Sequence, residues 1–140
     1  MSYTQENFEE WIILIPFKME YFTDTFAGEN NLKLDYSMGS LDELEKWILA
    51  NYEDAEGLIK DKKTLDYLTV YIGETFRKYI GGKWFIDLEN KKNVFYSMPV
   101  LKSPEYKGVT SKSPLTYATA CISRNKGDYI STILRNNMEH

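Results

Sequence analysis

The sequence predicts an α+β fold, with helices packed on one face of a small antiparallel sheet. Three observations predict it. Apolar residues recur at helical spacing over residues 8–26, 41–52 and 65–80. The double glycine Gly81-Gly82 closes the last of these stretches. Directly after it, Trp84, Ile86 and Leu88 alternate with Lys83, Phe85 and Asp87, as in a strand with one buried face. A chain of 140 residues, 43% hydrophobic and 15% aromatic, is read as one domain, residues 1–140, built on a single core.

The first helical stripe runs through Phe8, Trp11, Ile12, Ile15, Met19, Phe22 and Phe26. Pro16 lacks an N–H and is expected to kink or split this helix. Residues 12–15 also fit a short buried strand. Gly28 is placed as the helix stop. Residues 32–36 alternate and are read as a short extended piece. Ser40 with Glu43 three residues on has capping-box spacing, ahead of the stripe Leu41, Leu44, Trp47, Ile48 and Tyr52. Residues 53–63, charged and containing Gly57, read as a connector, and Thr64 as the next cap. Leu65, Leu68, Ile72, Phe76, Tyr79 and Ile80 form the following buried face. Within it Gly73 costs about 1 kcal/mol against Ala, which points to a close approach by another element.

Residues 83–88 and 94–99 are read as a hairpin around a turn at 89–93, with Pro99 at an edge or end. Residues 103–114 read as loop and 115–124 as helix. Asp128 is placed as the cap of a last helix carrying Tyr129, Ile130, Ile133 and Leu134.

Two segments together resemble a known group. The first is Leu34-Asp35-Tyr36-Ser37-Met38-Gly39-Ser40-Leu41-Asp42-Glu43-Leu44-Glu45. The second is Tyr71-Ile72-Gly73-Glu74 followed by Gly81-Gly82-Lys83-Trp84. They resemble small bacterial domains with an "lDyS-x-x-SL-x-x-lE" entry and a "YxGE…GGxW" helix-to-strand turn, some of which are immunity proteins encoded beside polymorphic toxins. The resemblance spans roughly residues 32–100 and carries no catalytic residue onto this chain. It implies a non-enzymatic protein-binding domain whose partner is a cognate toxin.

The residues themselves limit the chemistry. With the terminal His140 set aside there is no histidine, which removes Ser-His, Cys-His and histidine acid–base schemes. One cysteine, Cys121, allows neither an internal disulfide nor an ordinary zinc site. It lies among Ala118, Ala120 and Ile122 and reads as a small core residue. Gly81-Gly82-Lys83 lacks the phosphate-loop pattern and follows a helix rather than opening one. No cofactor is expected. The acids Glu53, Asp54 and Glu56 are clustered without calcium-loop spacing, and such runs are usually solvated. Glu74 on a largely apolar helix needs a partner, with Arg77 and Lys78 at helical spacing.

Charge is uneven. Residues 1–60 hold four Lys and thirteen acids, a net of −9, and residues 61–140 hold thirteen bases and eight acids, a net of +5. Either the halves neutralise each other by packing, or the acidic half is an interaction surface. A pI near 5.1 speaks against nucleic acid. The longest apolar run, Trp11–Ile15, is too short to span a membrane and has no basic flank, so a cytoplasmic protein is expected. The leading expectation is an immunity-type protein presenting an acidic, aromatic-rich face. The alternative is a small-ligand or regulatory domain with a pocket near Tyr71, Glu74 and Trp84. A carboxylate-dependent enzyme would require several of Asp35, Glu53, Asp54, Glu56 and Glu74 to converge.

Overall fold

The computed structural model describes residues 3–106 and 108–138. Its helices are α1 (Gln5–Ile13), α2 (Ile15–Tyr21), α3 (Ala27–Glu29), α4 (Met38–Asn51), α5 (Ala55–Lys60), α6 (Lys62–Ile80), α7 (Pro114–Arg124) and α8 (Tyr129–Met138). The strands β1 (Lys83–Phe85), β2 (Val100–Lys102) and β3 (Ser111–Lys112) form an antiparallel sheet in the order β1-β2-β3. The predicted α+β class is the class observed.

The first stripe is helical, and the strand alternative for residues 12–15 fails. Pro16 divides it: α1 ends before Leu14, and Pro16 opens α2, where a missing N–H is harmless. Residues 22–26 then widen into a π-helical turn. Gly28 does not stop the helix. Asn31 does, at φ 56°, with Leu32 N–H reaching Ala27 O and Asn31 N–H reaching Gly28 O. That is a Schellman ending with asparagine in the left-handed position.

Two helix caps lie three residues earlier in the chain than expected, and a third serves a helix that was not expected. Ser37, not Ser40, caps α4, its Oγ accepting from Ser40 N–H at 3.1 Å. Glu43 instead accepts from Lys33 N–H. Residues 53–63 are not a plain connector: Asp54 caps the short α5, which buries Leu58 completely. Asp61, not Thr64, caps α6. Ser37, Asp61, Ser40 and Thr64 are all good capping types, and the true cap is the one whose backbone leaves helical φ/ψ.

α6 is the axis of the molecule. It packs against α2, α5, α7, α8 and β2. The predicted stripe is buried, but so are Thr69, Val70, Tyr71, Gly73 and Thr75, so the helix is enclosed on most sides from Leu68 to Phe76. One core cluster runs from Phe8 to Leu134 and includes Cys121. Burial pushes the Cys121 thiol up to about 12, which keeps it protonated and inert, as a core residue should be.

The predicted hairpin is corrected. β1 ends at Phe85, and its partner is β2, with Trp84 opposite Leu101 and Phe85 opposite Val100. Residues 94–98 form no strand. The Asp87 carboxylate gathers the chain by accepting from Asn90 N–H, Asn93 Nδ2 and Glu89 N–H, and these bonds hold its pKa below the usual range. Ser97 at φ 58° is incompatible with a strand, and Val94 is 82% exposed. Pro99 therefore precedes a strand rather than ending one. The segment read as loop, 103–114, contains β3.

Candidate functional site

The motif residues build a fastener between α6 and β1. The Tyr71 ring is fully buried. Its hydroxyl lies 2.7 Å from Ser40 Oγ and accepts from Tyr36 N–H at 2.8 Å. Burial raises the phenol to about 12. Two turns of chain, the Tyr36 corner at φ 62° and the start of α4, are thus tied to α6. This joins the two segments that carry the resemblance.

Below Tyr71, Gly73 faces the Trp84 indole. A methyl group at Gly73 would lie closer than 3.0 Å to Cζ2 and Cη2 of that ring. The close approach expected of this glycine is therefore made by the strand's tryptophan. Glu74 receives two donors on one oxygen: Trp84 Nε1 at 2.8 Å and Arg77 Nη1 at 2.9 Å. Arg77 is the helical partner foreseen, and Trp84 is a second one. Arg77 Nε also donates to Gly82 O, and the Tyr106 hydroxyl donates to Gly81 O. Gly81 and Gly82 have φ of 72° and 100°, and a side chain at Gly82 would collide with the Tyr106 phenol. Trp84 further meets Trp11 edge-on at 4.9 Å, linking β1 to α1.

The other predicted site residues lie apart from this cluster. Asp54 Oδ1 accepts from Gly57 N–H as a helix cap. Glu56 pairs with Lys60 at 3.6 Å, both well exposed, and Glu53 is exposed. Among the described residues no three His, Cys, Asp or Glu side chains assemble as a metal site. No buried side-chain nitrogen or oxygen there lacks a hydrogen-bond partner. The polar groups inside the molecule are committed to each other.

One buried carboxylate escaped the sequence reading. Glu45, on α4, is completely buried and accepts from Tyr129 N–H at 3.0 Å and Ile130 N–H at 2.9 Å. It caps α8 from another helix, the role assigned to the Asp128 side chain. The signal was available: Glu45 stands one turn after Leu41 and one turn before Ile48, on the apolar stripe.

A cleft of about 230 Å³ lies on the other side of Trp11, bordered by Tyr3, Leu65, Thr69, Pro99 and Leu115. Asp66 at its rim accepts from Trp11 Nε1 and from Lys18 Nζ, both at 2.7 Å. Tyr71, Glu74 and Trp84 do not border this cleft, and the Tyr71 and Trp84 rings are buried.

The molecule presents acids, bases and an apolar ridge outward, and fourteen Lys and Arg residues are exposed. Ten of the thirteen acids in residues 1–60 are exposed. Among the described residues no ion pair joins one of these acids to a base of the other half; the pair that does cross, Lys18–Asp66, runs in the opposite sense. Among the described residues Lys18–Asp66 is the ion pair that joins the two halves. On α1 and α2, Ile13 and Phe17 are 67% and 68% exposed, and Leu14 and Tyr21 are each 40% exposed. These fall between the stripe residues, so the helix is apolar on two faces, a pattern readable in the sequence. No helix among the described residues is long and apolar enough to cross a membrane.

No family model matches the chain, and neither a curated protein nor a solved structure matches it.

Proposed function

We propose that this chain is a non-enzymatic, cytoplasmic protein-binding domain of the immunity type, which occludes the active site of a cognate toxin. The observation that carries this reading is the excess of exposed acids in residues 1–60, ten against three exposed lysines, of which Glu56 is ion-paired, with Lys60. Unpaired charge of one sign raises the association rate with a partner of the other sign and discriminates against like-charged surfaces. The interior supports the reading from the other side. Glu45 there accepts from backbone amides, Glu74 from Trp84 and Arg77, and Tyr71 bonds Ser40 and Tyr36, so these groups form a scaffold and recognition falls to the surface.

The test is affinity capture by the full chain from the organism that encodes it, with captured proteins identified by mass spectrometry. Stoichiometric recovery of one protein with a toxin-like domain is expected. The association rate with that protein should fall as ionic strength rises. An on-rate indifferent to salt would overturn the electrostatic mechanism, and a failure to recover any partner while the neighbouring genes are expressed would overturn the reading itself.

A second reading, a small-ligand domain, is favoured by the cleft beside Trp11 rather than by the space near Tyr71 foreseen from sequence. Its volume of about 230 Å³ falls below the roughly 300–1,000 Å³ of most ligand sites. A fragment screen by thermal shift checks it, with ligand-induced quenching of tryptophan fluorescence as the expected signature.

A further inference from the structure

We infer that the docking face is the outer ridge of α1 and α2, and that its occupant is a basic protein surface with an apolar hollow that receives Phe17. The inference rests on the protein-binding reading and names the site through which it operates.

The ridge follows from helical spacing. Ile13, Phe17 and Tyr21 are each four residues apart, and Leu14 lies beside them. The chain keeps helical hydrogen bonds through the division at Leu14, whose N–H reaches Glu10 O and whose carbonyl accepts from Lys18 N–H. The four side chains therefore line one continuous face. Single exposed apolar residues are ordinary, but four on one face form a patch that soluble proteins seldom leave uncovered without use. An exposed aromatic at the centre of such a patch is the usual anchor of a protein interface.

The same face is acidic at both ends. Glu6, Glu9 and Glu10 precede the apolar centre, and Glu20 and Asp24 follow it; all five are exposed. The single lysine of the first thirty residues, Lys18, is turned inward to Asp66 with only 20% of its side chain accessible. Nothing on the ridge offsets its charge. This pattern selects among occupants. A symmetric contact with a second copy would set one acidic rim against another. An anionic lipid surface would repel it. A basic protein surface satisfies both the apolar centre and the charged rim.

The experiment compares capture by the wild-type chain, Phe17→Glu, the double reversal Glu10→Lys/Glu20→Lys, and the control Val94→Glu, which alters a still more exposed apolar residue in the loop before β2. All four sites are on the surface, and unchanged circular dichroism and thermal midpoint confirm folding. The wild type and Val94→Glu should recover the same basic protein. Recovery should fall more than tenfold for Phe17→Glu and for the charge reversal. Equal recovery by Phe17→Glu would overturn the ridge while leaving the protein-binding reading intact. Recovery of nothing by the wild type would overturn both. A partner lost with Phe17→Glu but unaffected by charge reversal would overturn its basic character. A wild-type dimer in sedimentation that Phe17→Glu renders monomeric would assign the ridge to a second copy instead.

Discussion

The junction of α6 with β1 and the outer ridge of α1–α2 use the same residue types to opposite ends. Both combine aromatic rings with carboxylates. At the junction, among the described residues, no buried side-chain polar atom lacks a partner: Trp84 and Arg77 bond Glu74, and Tyr71 bonds Ser40 and Tyr36. On the ridge Phe17 faces solvent, Tyr21 is half-exposed against Tyr67, and among the described residues Glu6, Glu9, Glu10, Glu20 and Asp24 form no ion pair. A distinctive motif is therefore not by itself a functional site. Side chains with satisfied bonds and no access specify the fold, whereas unsatisfied surface is what remains for a partner.

The comparison breaks most visibly at Trp84. Trp84→Ala removes a buried ring that touches Trp11, faces Gly73 and bonds Glu74, and should cost about 3–5 kcal/mol in urea unfolding. A loss under about 1 kcal/mol would mean the junction is not the fastener described.

Glu45 tests the interior through charge. Glu45→Ala leaves two α8 amides without their acceptor and should cost roughly 2–4 kcal/mol, at 1–3 kcal/mol per buried group. Burial raises the Glu45 carboxyl above its ordinary 4.5, against the pull of the backbone amides of Ile130, Tyr129 and Gly127. A carboxyl raised in the fold holds its proton more tightly folded than unfolded. Its contribution is full below about pH 4.5 and is lost as pH rises through the folded value. Relative to Glu45→Gln, which does not titrate, the wild type should lose stability as the pH is raised above the ordinary 4.5 through the raised folded value. A flat difference across that range would contradict the assignment.

Gly73→Ala sets two effects against each other. Alanine gains about 1 kcal/mol in helix propensity, while forcing a methyl against Trp84 costs about 1–3 kcal/mol. The indole is held by Glu74 and Trp11 and has little room to move, so a net loss of about 1–2 kcal/mol is expected. A rise in thermal midpoint would show that the ring yields.

The smallest effect on stability belongs to the ridge. Phe17→Ser should change unfolding free energy by less than about 0.5 kcal/mol, as exposed substitutions do, while abolishing partner capture. A large destabilisation would place Phe17 in the scaffold and remove the contrast between the two regions.

Local pattern alone determined much of this protein. The helical stripes, the split at Pro16, the positive φ of Gly81-Gly82, the close approach at Gly73 and the Glu74–Arg77 pair all follow from spacing or from one residue's backbone limits. Where the sequence reading failed, the deciding contact was distant. Strand pairing passed from residues 94–99 to Val100–Lys102 because Asp87 and Ser97 turn the intervening chain into a loop. Glu45 reads as one more acid until α8 brings two amides to it from 84 and 85 residues away. The fate of the ridge was decided in the same way. Periodicity shows that α1–α2 is apolar on two faces, but only the packing on α6 and β1 selects Phe8, Trp11, Ile15 and Met19 for the core and leaves Ile13, Leu14, Phe17 and Tyr21 outside. A helix can turn only one of its faces to a single neighbour, and which face that is depends on shapes supplied by the rest of the chain.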